Sequence, residues 1–223
     1  MSIAASDPLQ SFPAGGVAVV LGATGGIGQA LSSDIAYRGQ FDQILKLGRS
    51  TDPAIDILDE ESLARAARHA GELGHVRLVI DATGFLHDEH QGPEKTWRDI
   101  TPEALSRSFA LNAIGPALIM KHFLPLLPST GKAVFATLSA RVGSIGDNRL
   151  GGWYGYRASK CALNQFVHTA SIELQRRRPE AVCVALHPGT VDTPLSQPFS
   201  RSGLNVKQPS EAASSLISVI DAL

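Results

Sequence analysis

The sequence predicts an α/β protein, a single domain built on a doubly wound parallel sheet. Two observations predict this fold class. Short apolar runs rich in β-branched residues alternate with longer segments of helical periodicity, and such alternation with short links favours a parallel sheet with helices on both faces. The chain of 223 residues also has room for one sizeable domain.

Five apolar runs are the expected strands, because near-continuous apolar runs of this length suit strands covered on both faces. They cover residues 17–21, 44–47, 77–82, 133–138 and 181–186. The expected helices cover residues 27–38, 60–72, 102–127, 156–177 and 210–223. We expect residues 1–16 to be a flexible N-terminal segment and residues 17–223 to be the domain. Two longer irregular stretches, 85–101 and 187–209, begin at the carboxyl ends of strands, where such folds bind ligands.

Composition and charge exclude several classes of protein. There are 20 Lys and Arg against 21 Asp and Glu, a net charge of -1, so the basic surface of a nucleic-acid-binding protein is missing. No apolar run approaches the roughly 18 residues of a membrane span, and the N-terminus lacks a basic start and a long apolar stretch. Cys161 and Cys183 show no metal-ligand spacing. We therefore expect a cytoplasmic protein with no nucleic-acid, membrane or metal partner.

A glycine-rich turn follows the first expected strand. It has the sequence Gly22-Ala23-Thr24-Gly25-Gly26-Ile27-Gly28 and opens the first helix. Gly22 permits a sharp turn, Gly26 lets the backbone approach a pyrophosphate, and Gly28 allows close helix–strand packing. No Gly-Lys-Ser/Thr follows, which excludes a P-loop. The turn therefore predicts a Rossmann-like dinucleotide site, with a purely structural turn as the alternative.

The end of the second expected strand bears on the choice of cofactor. An Asp or Glu there would bind the ribose hydroxyls of NAD, but the sequence has Gly48-Arg49-Ser50. The Arg49 guanidinium can bind a 2′-phosphate, with the Ser50 hydroxyl beside it. We therefore favour NADP(H) over NAD(H), the alternative being that Arg49 is a solvated loop residue. Asp56 either meets the adenine amino group or is an exposed strand-end residue.

Tyr156 and Lys160 lie four residues apart, hence on one face of a helix. A phenol with an ordinary pKa near 10 is a poor acid or base at neutral pH. A nearby ammonium stabilises the phenolate and lowers that pKa toward the working range. The pair therefore indicates an acid/base for carbonyl–alcohol interconversion, and the alternative is a surface contact between the two side chains.

With both signals in this order, the sequence resembles the short-chain dehydrogenase/reductase family from residue 17 to residue 223. The resemblance is carried by residues 22–28, Asp81-Ala82-Thr83-Gly84, Asn112, Ser139, Tyr156 with Lys160, and the segment from Pro188 to Pro194. Within the family, residues 139–147, residues 151–164 and Pro93-Glu94-Lys95 look closest to the C-factor-like and sniffer-like carbonyl reductases.

The resemblance implies an NADP(H)-dependent oxidoreductase that interconverts a carbonyl compound and its alcohol by hydride transfer. Tyr156 would protonate the substrate oxygen. Lys160 would hold the nicotinamide ribose and lower the Tyr156 pKa. Asn112 would sit at a helix distortion and hold a relay water. The implied cofactor-binding residues are Gly22, Thr24, Gly25, Gly26, Ile27, Arg49, Ser50, Asp56, Ala82, Thr83, Gly84, Asn112, Tyr156, Lys160, Pro188, Gly189, Val191 and Thr193.

The residue that would polarise the substrate oxygen is open between two serines. The gap from Ser139 to Tyr156 is longer than the family's habit, and Gly143 lies three residues past Ala140, not past Ser139. Ser139 is the better candidate and Ser144 the alternative, unless Ser139 merely ends a strand. Arg141, Val142, Trp153 and Leu195 are expected to line the substrate pocket.

Two further expectations concern function and assembly. The alternative function is a dinucleotide-binding signalling or regulatory protein on this scaffold, with weak or no turnover. Family members usually follow the last helix with a seventh strand, but this sequence ends where that helix should finish. Either the sheet lacks that strand or the sequence supplied is shortened. A small carbonyl or alcohol is the expected partner, and a homo-oligomer is left open.

Overall fold

The computed structural model describes residues 9–199 and 205–223. Its strands are β1 Val17–Leu21, β2 Gln43–Leu47, β3 Val76–Asp81, β4 Ala133–Leu138, β5 Ala181–Leu186, β6 Thr190–Val191 and β7 Val206–Lys207. Its α-helices are α1 Gly26–Arg38, α2 Glu60–Leu73, α3 Pro102–Phe109, α4 Gly115–Phe123, α5 Tyr154–Arg177 and α6 Pro209–Ala222. The five expected strands are confirmed within one residue at each end.

The five main strands form one parallel sheet in the order β2-β1-β3-β4-β5. The chain moves outward from β1 to β2 and then crosses back to β3 on the other side of β1. Leu21 pairs with both Leu47 and Asp81, so three strands end at the same level. Ligand sites of such sheets lie at this reversal of strand order, and the glycine-rich turn begins there. The predicted doubly wound α/β fold is confirmed.

Alternate residues of each strand enter two separate cores. On one face, Val17, Val19 and Leu21 pack with α2, α4 and α5. On the other face, Ala18 and Val20 pack with α1 and α6. All five β1 residues are fully buried, which is why their sequence is continuously apolar and not alternating.

Residues 9–16 correct the expectation of a flexible N-terminal segment over 1–16. Leu9 and Phe12 are buried in the core that contains α1 and α6. The backbone N–H and hydroxyl of Ser11 donate hydrogen bonds to the Asp221 carboxylate at 3.2 and 2.5 Å. The apolar side chains at positions 9 and 12 supply the burial that orders this stretch. The rest of the expected segment, residues 1–8, lies outside the described residues.

The helix expected over residues 102–127 is divided. Residues Ala110–Ile114, between α3 and α4, form a π-helical turn. Residues Leu124–Leu126, after α4, form a 3₁₀ turn. By length and composition alone Pro102–Leu126 could cross a membrane, which our count of apolar runs did not anticipate. Ile119, Met120 and Phe123 of this segment are buried in the core beneath the sheet.

The remaining differences lie at the edges of the sheet. The stretch expected to be irregular contains the short parallel pair β6–β7. A single bridge between Gly48 and Ala54 extends the edge beside β2. In the described sheet β2 and β5 are the edge strands.

Candidate active site

The glycine-rich turn is packed so tightly that side chains would not fit. Gly22 has φ +75°, and a Cβ there would lie 2.9 Å from the Ala82 backbone. A Cβ on Gly28 would lie 2.1 Å from the Gly22 carbonyl oxygen. Gly25 precedes α1 without a side-chain cap, so the first N–H groups of the helix stay available to an anion.

The turn opens into a cleft of about 590 Å³. Eight of the expected cofactor-binding residues line it: Gly22, Thr24, Gly25, Arg49, Asp56, Ala82, Thr83 and Gly84. Ser50 is exposed beside it and is not among its lining residues. Phe85, Arg107 and Leu111 also line the cleft and are not among the predicted site residues. Helical periodicity gives no signal for Arg107, whose guanidinium lies 4.6 Å from the Phe85 ring centroid and pairs with Asp88.

Asp81 holds the ends of two neighbouring strands together. Its fully buried carboxylate accepts hydrogen bonds from the Thr83 N–H at 3.0 Å and hydroxyl at 2.5 Å. It also accepts from the Thr137 hydroxyl of β4 at 2.7 Å. These contacts fix the floor of the cleft where Ala82, Thr83 and Gly84 leave β3.

Asn112 lies within the π-helical turn and is fully buried. Its side-chain oxygen accepts from the Phe85 N–H and its amide donates to the Phe85 carbonyl, both at 2.8 Å. The helix distortion expected at Asn112 is present, and its side-chain amide tethers the loop after β3.

Tyr156 and Lys160 lie on the first two turns of α5. The Lys160 ammonium is 6.0 Å from the Tyr156 ring centroid and donates to the Leu138 carbonyl oxygen at 2.8 Å. A Cβ placed on Gly84 would lie 3.9 Å from the Lys160 Nζ. Lys160 is therefore close both to the loop that lines the first cleft and to the Tyr156 ring.

Burial sets the pKa of both groups. It raises the pKa of Tyr156 to about 12 and lowers that of Lys160 to about 8, against the opposing charge of Asp81. The expectation that Lys160 lowers the Tyr156 pKa is therefore not met in this structure, because desolvation of the phenolate dominates. Tyr156 is protonated at neutral pH and carries a proton that it can donate.

A second cleft, of about 570 Å³, contains Tyr156. Ser139 lines it, and its hydroxyl donates to the Asn164 side-chain oxygen at 2.7 Å. Ser144 is not among the lining residues, and its hydroxyl accepts from the Asp147 N–H at 3.4 Å. The structure thus brings Ser139, and not Ser144, to the cleft of Tyr156. Asn164, one turn beyond Lys160, was missed.

Both apolar and cationic side chains line the second cleft. The expected residues Arg141, Val142, Trp153 and Leu195 line it, together with Ile27, Pro188, Gly189, Val191 and Thr193 from the cofactor prediction. Leu86, Arg149, Leu150, Arg157 and Phe199 also line it and were missed. Trp153 packs edge-on against Tyr156 and Phe199, with centroid distances of 6.1 and 5.2 Å.

The charges in this cleft are unequal. Among its described lining residues, Asp147 is the one acid and faces three arginines. Arg141 donates two hydrogen bonds to Asp147, at 2.5 and 3.0 Å, which hold the pKa of that carboxyl below its usual range. Arg157 donates to the carbonyl oxygens of Gly151 and Gly152. Arg149 has no ion pair or hydrogen bond within residues 9–199 and 205–223.

Comparison with protein families gives one match over most of the chain. A family described as enoyl-(acyl carrier protein) reductase matches residues 23–217. The 1-hydroxy-2-glutathionyl-2-methyl-3-butene dehydrogenase of Rhodococcus sp. (strain AD45) is 31% identical over 217 residues, which are 92% of this chain and 90% of that protein. The C-signal of Myxococcus xanthus is 40% identical over 101 residues, or 45% of this chain and 59% of that protein.

Among solved structures, the chain is similar to the NADPH-bound carbonyl reductase from chicken fatty liver. The TM-score is 0.79 at 24% identity, over 96% of this chain and 90% of that one. At this identity the likeness concerns the fold, and it agrees with the parallel sheet and flanking helices described above.

Proposed function

The chain belongs to the short-chain dehydrogenase/reductase family of oxidoreductases, and from this premise we propose that it is an NADP(H)-dependent enzyme that interconverts a carbonyl compound and its alcohol. One observation carries the proposal. The Lys160 ammonium is close both to Gly84 of the first cleft and to Tyr156 of the second. A cofactor in the first cleft would then meet a substrate in the second beside a proton donor.

The first cleft fits a dinucleotide. A Cβ on Gly22 or Gly28 of the adjoining turn would strike backbone, and the uncapped start of α1 suits a pyrophosphate. Arg49 supports a 2′-phosphate, since it lines the cleft and is exposed. Asp56 is the candidate for the adenine amino group, and Thr193 and its neighbours Pro188, Gly189 and Val191 for the nicotinamide end. When bound, NADPH supplies the hydride that the carbonyl carbon accepts.

The residues of this chain supply the proton. Tyr156, whose pKa burial holds at about 12, donates its phenolic proton to the substrate oxygen, which becomes the alcohol. Lys160, whose ammonium lies near Gly84 of the first cleft and 6.0 Å from the Tyr156 ring centroid, is the candidate to hold the nicotinamide ribose. Ser139 turns its hydroxyl from Asn164 to the same substrate oxygen and polarises it. In the oxidation direction the proton moves from the alcohol oxygen to the Tyr156 oxygen.

The substrate class follows from the second cleft. Leu86, Leu195 and Phe199 offer apolar surface, while the arginines exceed the single acid. An apolar carbonyl compound or alcohol that also bears a carboxylate suits such walls. The Rhodococcus relative supports this class, because the glutathionyl group in the name of its substrate carries carboxylates.

We also place the protein in the cytoplasm, without a nucleic-acid partner. The net charge of -1 supports the lack of a nucleic-acid partner. Among the described residues, the one helical segment that could span a membrane by length and composition contributes buried side chains to the core.

A panel of aldehydes and ketones, with and without a carboxylate, tests the function through the absorbance of NADPH. We expect turnover of some members by the natural chain and almost none by Tyr156→Phe, with NADPH binding intact in both. Turnover that survives Tyr156→Phe contradicts the role of Tyr156.

The similarity to the C-signal of Myxococcus xanthus favours one second candidate, a dinucleotide-binding signalling protein. That candidate predicts tight NADPH binding with no turnover across the whole panel. The same experiment therefore separates the two functions.

A further inference from the structure

Glu94 is a buried carboxylate that belongs to neither cleft. It follows Pro93 in the loop between β3 and α3, and it is 5% exposed. A charged residue in a polar loop is ordinarily solvated, and burying one without full pairing costs free energy. One of its carboxylate oxygens, Oε1, has no hydrogen-bond partner in the described part of the chain. Such a group in a folded protein calls for an explanation.

Glu94 holds the beginning of α5 at two points. Its Oε2 accepts a hydrogen bond from the Gly155 N–H at 3.1 Å. Its backbone carbonyl accepts from the Trp153 N–H at 2.5 Å. Both donors lie within three residues of Tyr156. A carboxylate at a helix N-terminus also complements the helix dipole.

The absence of a side chain at Gly155 leaves room for this carboxylate. A Cβ on Gly155 would lie 2.9 Å from Glu94 Oε1 and 2.9 Å from the Ser108 hydroxyl. Trp153, which precedes the helix, has φ +56° and is the one residue other than glycine with positive φ in the described chain. Such backbone strain persists only where the surroundings enforce it, and it clusters at functional sites. The Glu94 carbonyl is the hydrogen-bonding group that holds the Trp153 N–H.

We propose that Glu94 is a positioning residue for the reaction, because it fixes the first turn of α5 and thereby sets the Trp153 ring and the Tyr156 phenol in the second cleft. The inference rests on the proposed function, since it concerns the placement of the proposed proton donor. Glu94 itself touches neither cleft. Its effect on turnover is therefore indirect and passes through residues 153–156.

The central experiment compares Glu94→Ala with Glu94→Gln. Glutamine keeps an oxygen that can accept from the Gly155 N–H, whereas alanine removes it. We expect Glu94→Ala to lower kcat on the order of 10- to 100-fold, since misplacement by about 1 Å has this effect, with little change in NADPH affinity. Glu94→Gln should restore most of the lost kcat. If folded Glu94→Ala keeps the natural kcat, or if Glu94→Gln is as impaired as Glu94→Ala, the proposal is wrong.

Asp59→Ala is the matched control for lost stability. Asp59 caps α2, where its carboxylate accepts from the Glu61 N–H at 3.0 Å, so its removal also loosens a helix N-terminus. Asp59 lines neither cleft, and the hydrogen bond from its backbone N–H to the Asp56 carbonyl oxygen survives the substitution, so we expect kcat to stay unchanged. A fall in kcat equal to that of Glu94→Ala would mean that general destabilisation explains both. Should Glu94→Ala not fold, Glu94→Asp replaces it, because the shorter carboxylate keeps its charge but withdraws from Gly155.

A second readout does not depend on turnover. The chain has two tryptophans, and in a Trp97→Phe background the emission comes from Trp153 alone. We expect Glu94→Ala to shift or quench that emission and Glu94→Gln to leave it near the starting spectrum. Absence of turnover in the natural chain would defeat the proposed function while this spectrum still tests Glu94. An unchanged spectrum in Glu94→Ala would overturn the positioning role.

Discussion

The Lys160 ammonium donates a 2.8 Å hydrogen bond to the backbone carbonyl oxygen of Leu138. This bond ties the second turn of α5 to the last residue of β4, directly before Ser139. Only 3% of Lys160 is exposed, and its pKa is therefore about 8 instead of 10.5. The bond fixes the position of the Lys160 ammonium, whose charged form burial disfavours.

This lowered pKa predicts how stability changes with pH. Between pH 8 and 9 Lys160 binds more protons in the unfolded chain than in the folded one, so its contribution to the free energy of unfolding rises with pH, by about 1 kcal/mol. Burial raises the pKa values of Cys183 and Tyr156 to about 12. Their contributions to the free energy of unfolding therefore fall as pH rises at and above this range. Urea denaturation at pH 8.0, 8.5 and 9.0 measures the sum.

Lys160→Met isolates the contribution of Lys160, because this variant keeps Cys183 and Tyr156. The difference in unfolding free energy between the natural chain and Lys160→Met should move in favour of the natural chain as pH rises from 8 to 9. A difference that is flat over this range would show that Lys160 titrates elsewhere.

The two serines near β4 should respond differently to truncation. Ser139→Ala removes a hydroxyl from the cleft of Tyr156 and should lower kcat by about 100-fold, the size usual for one polarising donor. The loss should be smaller than that of Tyr156→Phe, because the proton donor remains. Steady-state kinetics on one accepted carbonyl compound measures all variants. Ser144→Ala is the control and should keep the natural kcat, so equal losses for the two serines would remove Ser139 from its proposed role.

How far the sequence predicts this molecule depends on the range of the interactions involved. Residues 133–138 and 181–186 were placed correctly because every residue there is apolar or small, a local signal. The helix distortion at Asn112 is expected only from the family resemblance and not from the helical pattern, since it accompanies the contact of Asn112 with Phe85, 27 positions away. A helical pattern contains no information about a partner in a distant loop.

The same reasoning explains what was found and missed at the site. The glycine-rich turn and the Tyr156–Lys160 spacing are local patterns, and the structure sets both beside the clefts. The pKa of Tyr156 depends on burial, which no spacing reveals. Glu94 and Gly155 are 61 positions apart, so their contact could be seen only in the folded chain.

Arg149 should discriminate between charged and neutral substrates. It lines the second cleft and has no ion pair within the described parts of the chain. We expect Arg149→Ala to raise KM for a carboxylate-bearing ketone about 10-fold, the low end for a hydrogen bond to a charged group, and to leave KM for the matching neutral methyl ester unchanged. Arg176→Ala, an exposed arginine at the far end of α5, is the control. Equal changes for acid and ester would contradict an anion-binding role.

The cofactor preference should depend on Arg49. Its exposed guanidinium lines the first cleft at the end of β2, where the chain offers no carboxylate between Gly48 and Thr51 that would repel a 2′-phosphate. We expect NADPH to bind more tightly than NADH to the natural chain, and Arg49→Ala to narrow the ratio of the two Kd values by about 10-fold through weaker NADPH binding alone. Fluorescence titration with each cofactor measures both constants. Arg65→Ala, which removes an exposed arginine of α2 outside the cleft, should leave the ratio unchanged. Equal affinities for the two cofactors in the natural chain would contradict the argument from Arg49, and a loss of NADPH and NADH binding in equal measure would assign Arg49 to the shared part of the dinucleotide instead.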